Sequence, residues 1–428
     1  MRRKSIAAVG LAGLTLSGLL ASLGASLPAG AATSSTTPII VGGDGDLDVS
    51  TGVGQGFEAG IYRFNKAGGL DGRKIVFTGF LDDGFSAQTN LTNAQQLVQN
   101  QHVTVVAPFL SEVGTAATAT FLKSSKVPFI GWAVNSAFTT QPAWGWGVNG
   151  QQNNPNAQGI VGVKQLLKIT GNTKTPSKMK VALIAENISG GIQGNNALQG
   201  AFEYGGAKVV YKEAPIAVIG TTSYAPYAQA LIASGANVAY EVLDSADSVG
   251  LAAALKSAGF KGTIVNGVTY FPGQLASQPN EASAINGVLV QDEFPADENL
   301  TPATKQAQKD FASVGQKPYL VSGASVGYWS AIVLEQMLKA TLAKVGGDPN
   351  KVTGATIEST VNSGNFSYVG PIPGGMGTMY FPAAEFIPTG CSTTLRVVGT
   401  GYKQLTPYQC QGSVNISAGR PYNMKTGK

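Results

Sequence analysis

The chain has 428 residues, with 29 Lys and Arg against 24 Asp and Glu, one His and two Cys. Only 12% of its residues are charged while 43% are hydrophobic. That excludes a disordered chain, because disorder combines poor hydrophobicity with high net charge. One His excludes a multi-histidine metal centre, and two Cys exclude zinc ribbons and disulfide-dense scaffolds.

Residues 1–32 read as an export signal peptide. Arg2, Arg3 and Lys4 form a basic start, an apolar run rich in Gly, Ala and Leu follows, and residues 27–31 end in a pattern that signal peptidase accepts. Read instead as an uncleaved anchor, the apolar run is barely long enough to span and is diluted by Gly and Ser. Losing the leader lowers the formal charge from +5 to +2. The basic pI therefore belongs largely to the leader, and nucleic-acid binding loses its support. No cysteine stands at the junction to carry a lipid. An oxidising, periplasmic or extracellular compartment favours a disulfide between Cys391 and Cys410, and closing that loop contributes about 3 kcal/mol in the chain-entropy model.

After a polar linker at 33–37, residues 38–41 read as a buried strand ending at Gly42-Gly43. Val53, Phe57, Ile61 and Phe64 then share one face of a helix. Gly68, Gly69 and Gly72 stop that helix. Residues 74–80 form the next strand, and Ser86 caps a helix with Leu91, Ala94, Leu97 and Val98 inside. Strands at 103–107 and 127–130 flank a helix at 114–124. A second αβ series begins after 149–159, with strands at 180–185, 208–211, 236–243 and 263–266 and helices at 192–204, 224–234 and 245–259. A strand at 288–290 leads to helices at 301–314 and 322–345. The tail beyond 370 reads as irregular β structure. Alternating strands and helices predict an α/β fold of parallel sheets covered on both faces.

Chemistry-bearing residues are sparse. Asp44-Gly45-Asp46-Leu47-Asp48 is similar to the opening of a calcium loop, but Val49 and Gln55 stand where Gly and Glu are needed. The alternatives are a solvated turn, or carboxylates such as Asp44 facing a cleft and favouring a cationic or polyhydroxylated ligand. Trp132 and Phe109 sit at strand ends, where they would form an aromatic wall for an apolar or cation-bearing solute. His102 reads as a surface residue. No phosphate loop or His-Glu-x-x-His helix is present, and with a single His a secreted hydrolase would lack its base. No cofactor or metal is expected.

Residues 56–75, Gly-Phe-Glu-Ala-Gly-Ile-Tyr-Arg-Phe-Asn-Lys-Ala-Gly-Gly-Leu-Asp-Gly-Arg-Lys-Ile, and the pair Asp82-Asp83 resemble the type I periplasmic binding proteins of ABC importers, in particular their leucine/isoleucine/valine-binding branch. The resemblance implies two Rossmann-like lobes joined by a three-strand hinge, closing on an amino acid or related small polar solute for delivery to a membrane permease by a monomer. It divides the chain into a first lobe at 38–150, a second at 151–287, a return to the first at 288–370, and a return to the second with a β tail at 371–428. It also implies that Ser111, Ala133 and Asn135 hold one end of the solute. Val268 stands where the family often places an acidic partner for the ligand ammonium, which leaves Glu186 and Asp244 to balance that charge, with Tyr270 closing from the same lobe. A ligand-sensing module of the same fold is the alternative function.

Overall fold

The computed structural model describes residues 37–47, 50–218, 220–267, 270–317, 320–368 and 377–428. The leader at 1–32, Asp48, Val49 and Val268 lie outside the described residues. Strand β1 (Ile39–Gly45) leads through helix α1 (Val53–Lys66) to β2 (Ile75–Asp82), α2 (Ala87–Gln99), β3 (Val105–Leu110), α3 (Ala116–Ser124), β4 (Phe129–Ala133) and β5 (Gly145–Gln151). These five strands form a parallel sheet in the order β2-β1-β3-β4-β5. The order reverses between β1 and β3, which opens a crevice at their carboxyl ends.

After β6 (Ala157–Gly159) and α4 (Val161–Ile169), the pattern restarts. It runs β7 (Lys180–Glu186), α5 (Ser189–Tyr204), β8 (Lys208–Ile216), α6 (Ala225–Ala233), β9 (Val238–Val242), α7 (Ser245–Ser257), β10 (Thr263–Asn266), the short α8 (Pro272–Ser277) and α9 (Pro279–Ala284), and β11 (Leu289–Asp292). Strands β8-β7-β9-β10-β11 are parallel, with a second reversal between β7 and β9. The chain returns to the first lobe with α10 (Pro302–Ser313), α11 (Ser322–Lys344), α12 (Gly354–Val361) and the pair β12 (Phe366–Tyr368) and β13 (Met379–Phe381). It ends on the second sheet, where β14 (Cys391–Val398) and β15 (Gly401–Gln404) add antiparallel strands beyond β11. Three passages between the sheets lie among the described residues: from β5 to α4, from β11 to α10, and from β13 to β14.

Two boundaries differ from the sequence reading. Leu289–Asp292 pairs with β10 and so belongs to the second sheet, which moves the return to the first lobe past residue 292. A short apolar run carries no information about which sheet it will join. Met379–Phe381 pairs with β12, which carries the first lobe's return past residue 370, and the tail beyond it is more ordered than expected: β14 extends the second sheet beside β11, and Cys391 pairs with Cys410 in register as a disulfide.

The motif of residues 56–75 builds scaffold. Gly56 and Gly60 let α1 lie directly on α11, since a β-carbon at either would stand 2.0 Å from the Ala324 carbonyl oxygen or 2.5 Å from Ala331 Cβ. Val53, Phe57, Ile61 and Phe64 bury the predicted face. At the helix end, Asn65 imitates a neighbouring strand, because its Nδ2 donates to Ile75 O and its Oδ1 accepts from Ile75 N, both at 2.8 Å. Arg73 then ties the turn to distant segments by donating to Thr37 O at 2.7 Å and Val352 O at 3.0 Å. No helix among the described residues is long and apolar enough to cross a membrane.

Candidate functional site

A cleft of about 1100 Å³, partly open to solvent, runs between the carboxyl ends of the two sheets. Its walls combine Trp132 in β4 and Val134 just past it, Glu112 after β3, Glu186 at the end of β7, and Gly190, Gly191 and Phe202 on α5. Its floor is made by the passages between lobes: Gln158 and Gly159 from the first, Asp292 and Glu293 from the second, Gly390 and Cys391 from the third. Four carboxylates line this space, and no Lys, Arg or His does so among the described residues.

The two strand-order reversals explain why acids converge here. Asp46 and Glu112 follow β1 and β3, flanking the first crevice, while Glu186 ends β7 and Asp244 follows β9, flanking the second. The Glu112 N–H donates to Asp46 Oδ2 at 2.9 Å, and Asp46 Oδ1 is buried with no hydrogen-bond partner. The Glu112 side chain reaches across to the start of α5, where a β-carbon on Gly190 would stand 3.4 Å from its Oε2. Burial, followed by the repulsion of Asp46, Glu186 and Asp244, holds the Glu112 carboxyl well above its usual range. Burial also pushes Glu186 up to about 8, with Asp244 and Asp247 adding repulsion. It raises Glu293 to about 8 and Asp292 to about 7. Such groups favour protonation in the empty cleft and favour a cation once one enters.

Of the residues expected at the site, Trp132 and Glu186 line the cleft. Trp132 donates its indole Nε1 to Glu293 Oε1 and so braces the second passage. Asp244 lies one step behind: its side chain caps α7 by accepting from Asp247 N at 2.8 Å, and its own N–H donates to Glu186 Oε1 at 2.6 Å. The other expected residues stand away from the cavity wall. Ser111 is fully buried and donates its hydroxyl to Asp83 Oδ2 at 2.6 Å. Asp44 is also fully buried and turned inward, accepting from Asn90 and Asn93 at 2.9 Å each. Phe109 packs in the core against Phe129 and Phe138, with ring centroids 5.1 and 5.7 Å away. Ala133 is buried and offers its carbonyl to Gln152 N. Asn135 is spent on capping, accepting from Ala137 N and donating to Ser111 O. Tyr270 is buried, donates its hydroxyl to Glu298 and packs on Tyr402. Position past a strand therefore predicts neighbourhood, whereas the parity of the pleat decides which side chain faces the cavity.

Glu112, Asp292 and Glu293 escape a reading by position. Glu112 is signalled only by its place beside Ser111, and the other two only by following a strand assigned to the wrong lobe.

Residues 40–401 match the family model described as periplasmic binding protein. No match is found among curated proteins. A solute-binding protein of an ABC transporter from R. palustris, in complex with 4-hydroxybenzoate, shares 20% identity over 89% of this chain and 97% of that chain, with a TM-score of 0.66. A fatty acid ABC transporter substrate-binding protein from Thermomonospora curvata shares 18% over 91% and 96%, with a TM-score of 0.71. A branched chain amino acid ABC transporter protein from Thermus thermophilus with bound valine shares 15% over 88% and 97%, with a TM-score of 0.67. At these identities the likeness speaks for the fold alone.

Proposed function

Because this chain belongs to the periplasmic binding protein family, whose members here are solute carriers of ABC transporters and not enzymes, we propose that it is an exported solute-binding protein that delivers its cargo to a membrane permease. Its solute is an amino acid or related small molecule that carries a cationic nitrogen on an apolar body. One observation carries this reading: the cleft presents Glu112, Glu186, Asp292 and Glu293 with no basic side chain among the described residues. An anionic solute would enter without a counter-charge, and burying an unpaired charge is expensive. A cationic solute finds partners from both lobes, with Trp132 and Phe202 flanking its apolar part.

The function needs no bond-making. Solute joins the first lobe's Glu112 to the second lobe's Glu186, closure proceeds about the three passages, and release follows when they reopen. Asp244 supports Glu186 through its N–H, while Ser111, Asn135, Asp44, Phe109, Ala133 and Tyr270 hold the surrounding strand ends in place.

A thermal-shift panel of leucine, isoleucine, valine, lysine, amidines, 4-hydroxybenzoate and a fatty acid tests the proposal. A true ligand at a hundred times its Kd adds about 2.7 kcal/mol of stability. Amine-bearing solutes are expected to raise the melting point, and amine-free carboxylates to leave it unmoved. Stabilisation by the carboxylates alone would overturn the proposed solute class. Silence from all three branched-chain amino acids would remove that subclass and leave the family assignment intact.

A further inference from the structure

We propose that Glu186, Asp244 and Asp247 form a binding site for one hard divalent cation of the calcium class at the cleft edge of the second lobe. Each of the three offers a carboxylate oxygen, and these oxygens lie within 4.8 Å of one another. Ligand oxygens around one calcium ion must have such mutual separations, since each sits about 2.3–2.6 Å from the metal. The residues come from fixed places: the end of β7, the cap of α7 and the first turn of α7.

A second observation points to a missing partner. Asp247 is 5% exposed. Its Oδ1 accepts from the Tyr224 hydroxyl, yet its Oδ2 is buried with no hydrogen-bond partner. A buried carboxylate oxygen left unpaired costs stability unless a cation or a proton satisfies it. None of the ion pairs found among the described residues involves Glu186 or Asp247. Glu186 offers one oxygen to the ion and keeps its place on the cleft wall beside Glu112, Asp292 and Glu293. The site stands on its own geometry and does not depend on which solute the cleft takes.

The test is calorimetric titration of calcium into the full mature chain after chelator treatment, with no solute present. One equivalent is expected to bind. Asp247→Asn should lower the affinity at least tenfold, whereas Asp46→Asn, on the rival loop after β1, should leave it unchanged. Circular dichroism checks that each variant folds, and Asp244→Asn serves if Asp247→Asn does not. Terbium provides a second reading, because Tyr224 beside Asp247 should sensitise its luminescence and calcium should quench it by displacement. No binding at millimolar calcium overturns the proposal. Unchanged affinity in folded Asp247→Asn, or loss of binding in Asp46→Asn, overturns it equally.

Discussion

The two lobes repeat one strand pattern but differ in how fully they satisfy the buried acids at and near their strand ends. In the first lobe, helix α2 supplies amides to Asp44 and Asp83, and Asp46 alone keeps a buried oxygen unpaired among these three. Asn90 donates to both Asp44 and Asp83, Asn93 donates to Asp44, and Ser111 completes the cradle of Asp83. In the second lobe, Asp247 keeps one buried oxygen unpaired, and Glu241 keeps both. Asp292, on the passage out of that sheet, also holds an unpaired oxygen. The contrast teaches that acid at a strand end is not itself a ligand signal. What matters is whether the fold has already provided its partner.

The most severe way to test this division is to remove charge from the cleft. The double variant Glu112→Gln/Glu293→Gln should weaken a cationic solute at least 100-fold, or about 2.7 kcal/mol, by calorimetry. The empty protein should remain at least as stable as before. Retained affinity would return the cleft carboxylates to a structural role.

Next comes the first lobe's cradle. Asn90→Ala strips donors from Asp44 and Asp83 and the acceptor of the Thr118 hydroxyl. It should cost about 2 kcal/mol in denaturant unfolding while solute affinity changes little. A large affinity loss with unchanged stability would erase the distinction between the lobes.

The pH dependence sharpens it further. Glu293 and Asp292 have folded-state values raised to about 8 and about 7, so the folded state binds the extra protons. Their contribution to stability is therefore full below the ordinary carboxyl range and is lost as pH rises toward 7 and 8. The solute-free melting point should fall over that window, and Glu293→Gln should flatten the fall. Affinity for a cationic solute should move the other way and rise with pH, because the ionised carboxylates receive it.

The smallest effect concerns Glu241, buried in the middle of β9 and raised well above its usual range by that burial. Glu241→Gln should be near neutral at pH 5 and stabilising at pH 8, measured as paired denaturation curves. An effect independent of pH would show that Glu241 is not paying a burial cost.

Much of the architecture could be read from the chain, because hydrophobic period and glycine stops are local. Val53, Phe57, Ile61 and Phe64 face inward as their spacing predicts, and Ser86 caps α2 by accepting from Thr89 N. Strand membership is not local, so a reading that opens the first lobe's return at residue 288 misses the pairing of Leu289–Asp292 with β10. The site was legible only in part for a similar reason. Glu186 and Trp132 follow from strand ends, but Phe109 and Ser111 are turned away by a pleat whose parity depends on the neighbouring strand. Glu112 shows the remedy, since its value comes from what stands opposite, the bare backbone at Gly190.

The bond from the Trp132 indole to Glu293 has an optical consequence. Among the four tryptophans of the chain, Trp132 lines the cleft. Its ring nitrogen touches a carboxylate on the passage that must flex when the lobes move. Loading the cleft changes both the charge beside the indole and the set of its donor bond. Emission from this one ring should therefore shift with occupancy, giving the protein a built-in gauge that reports filling and emptying in real time without an attached dye.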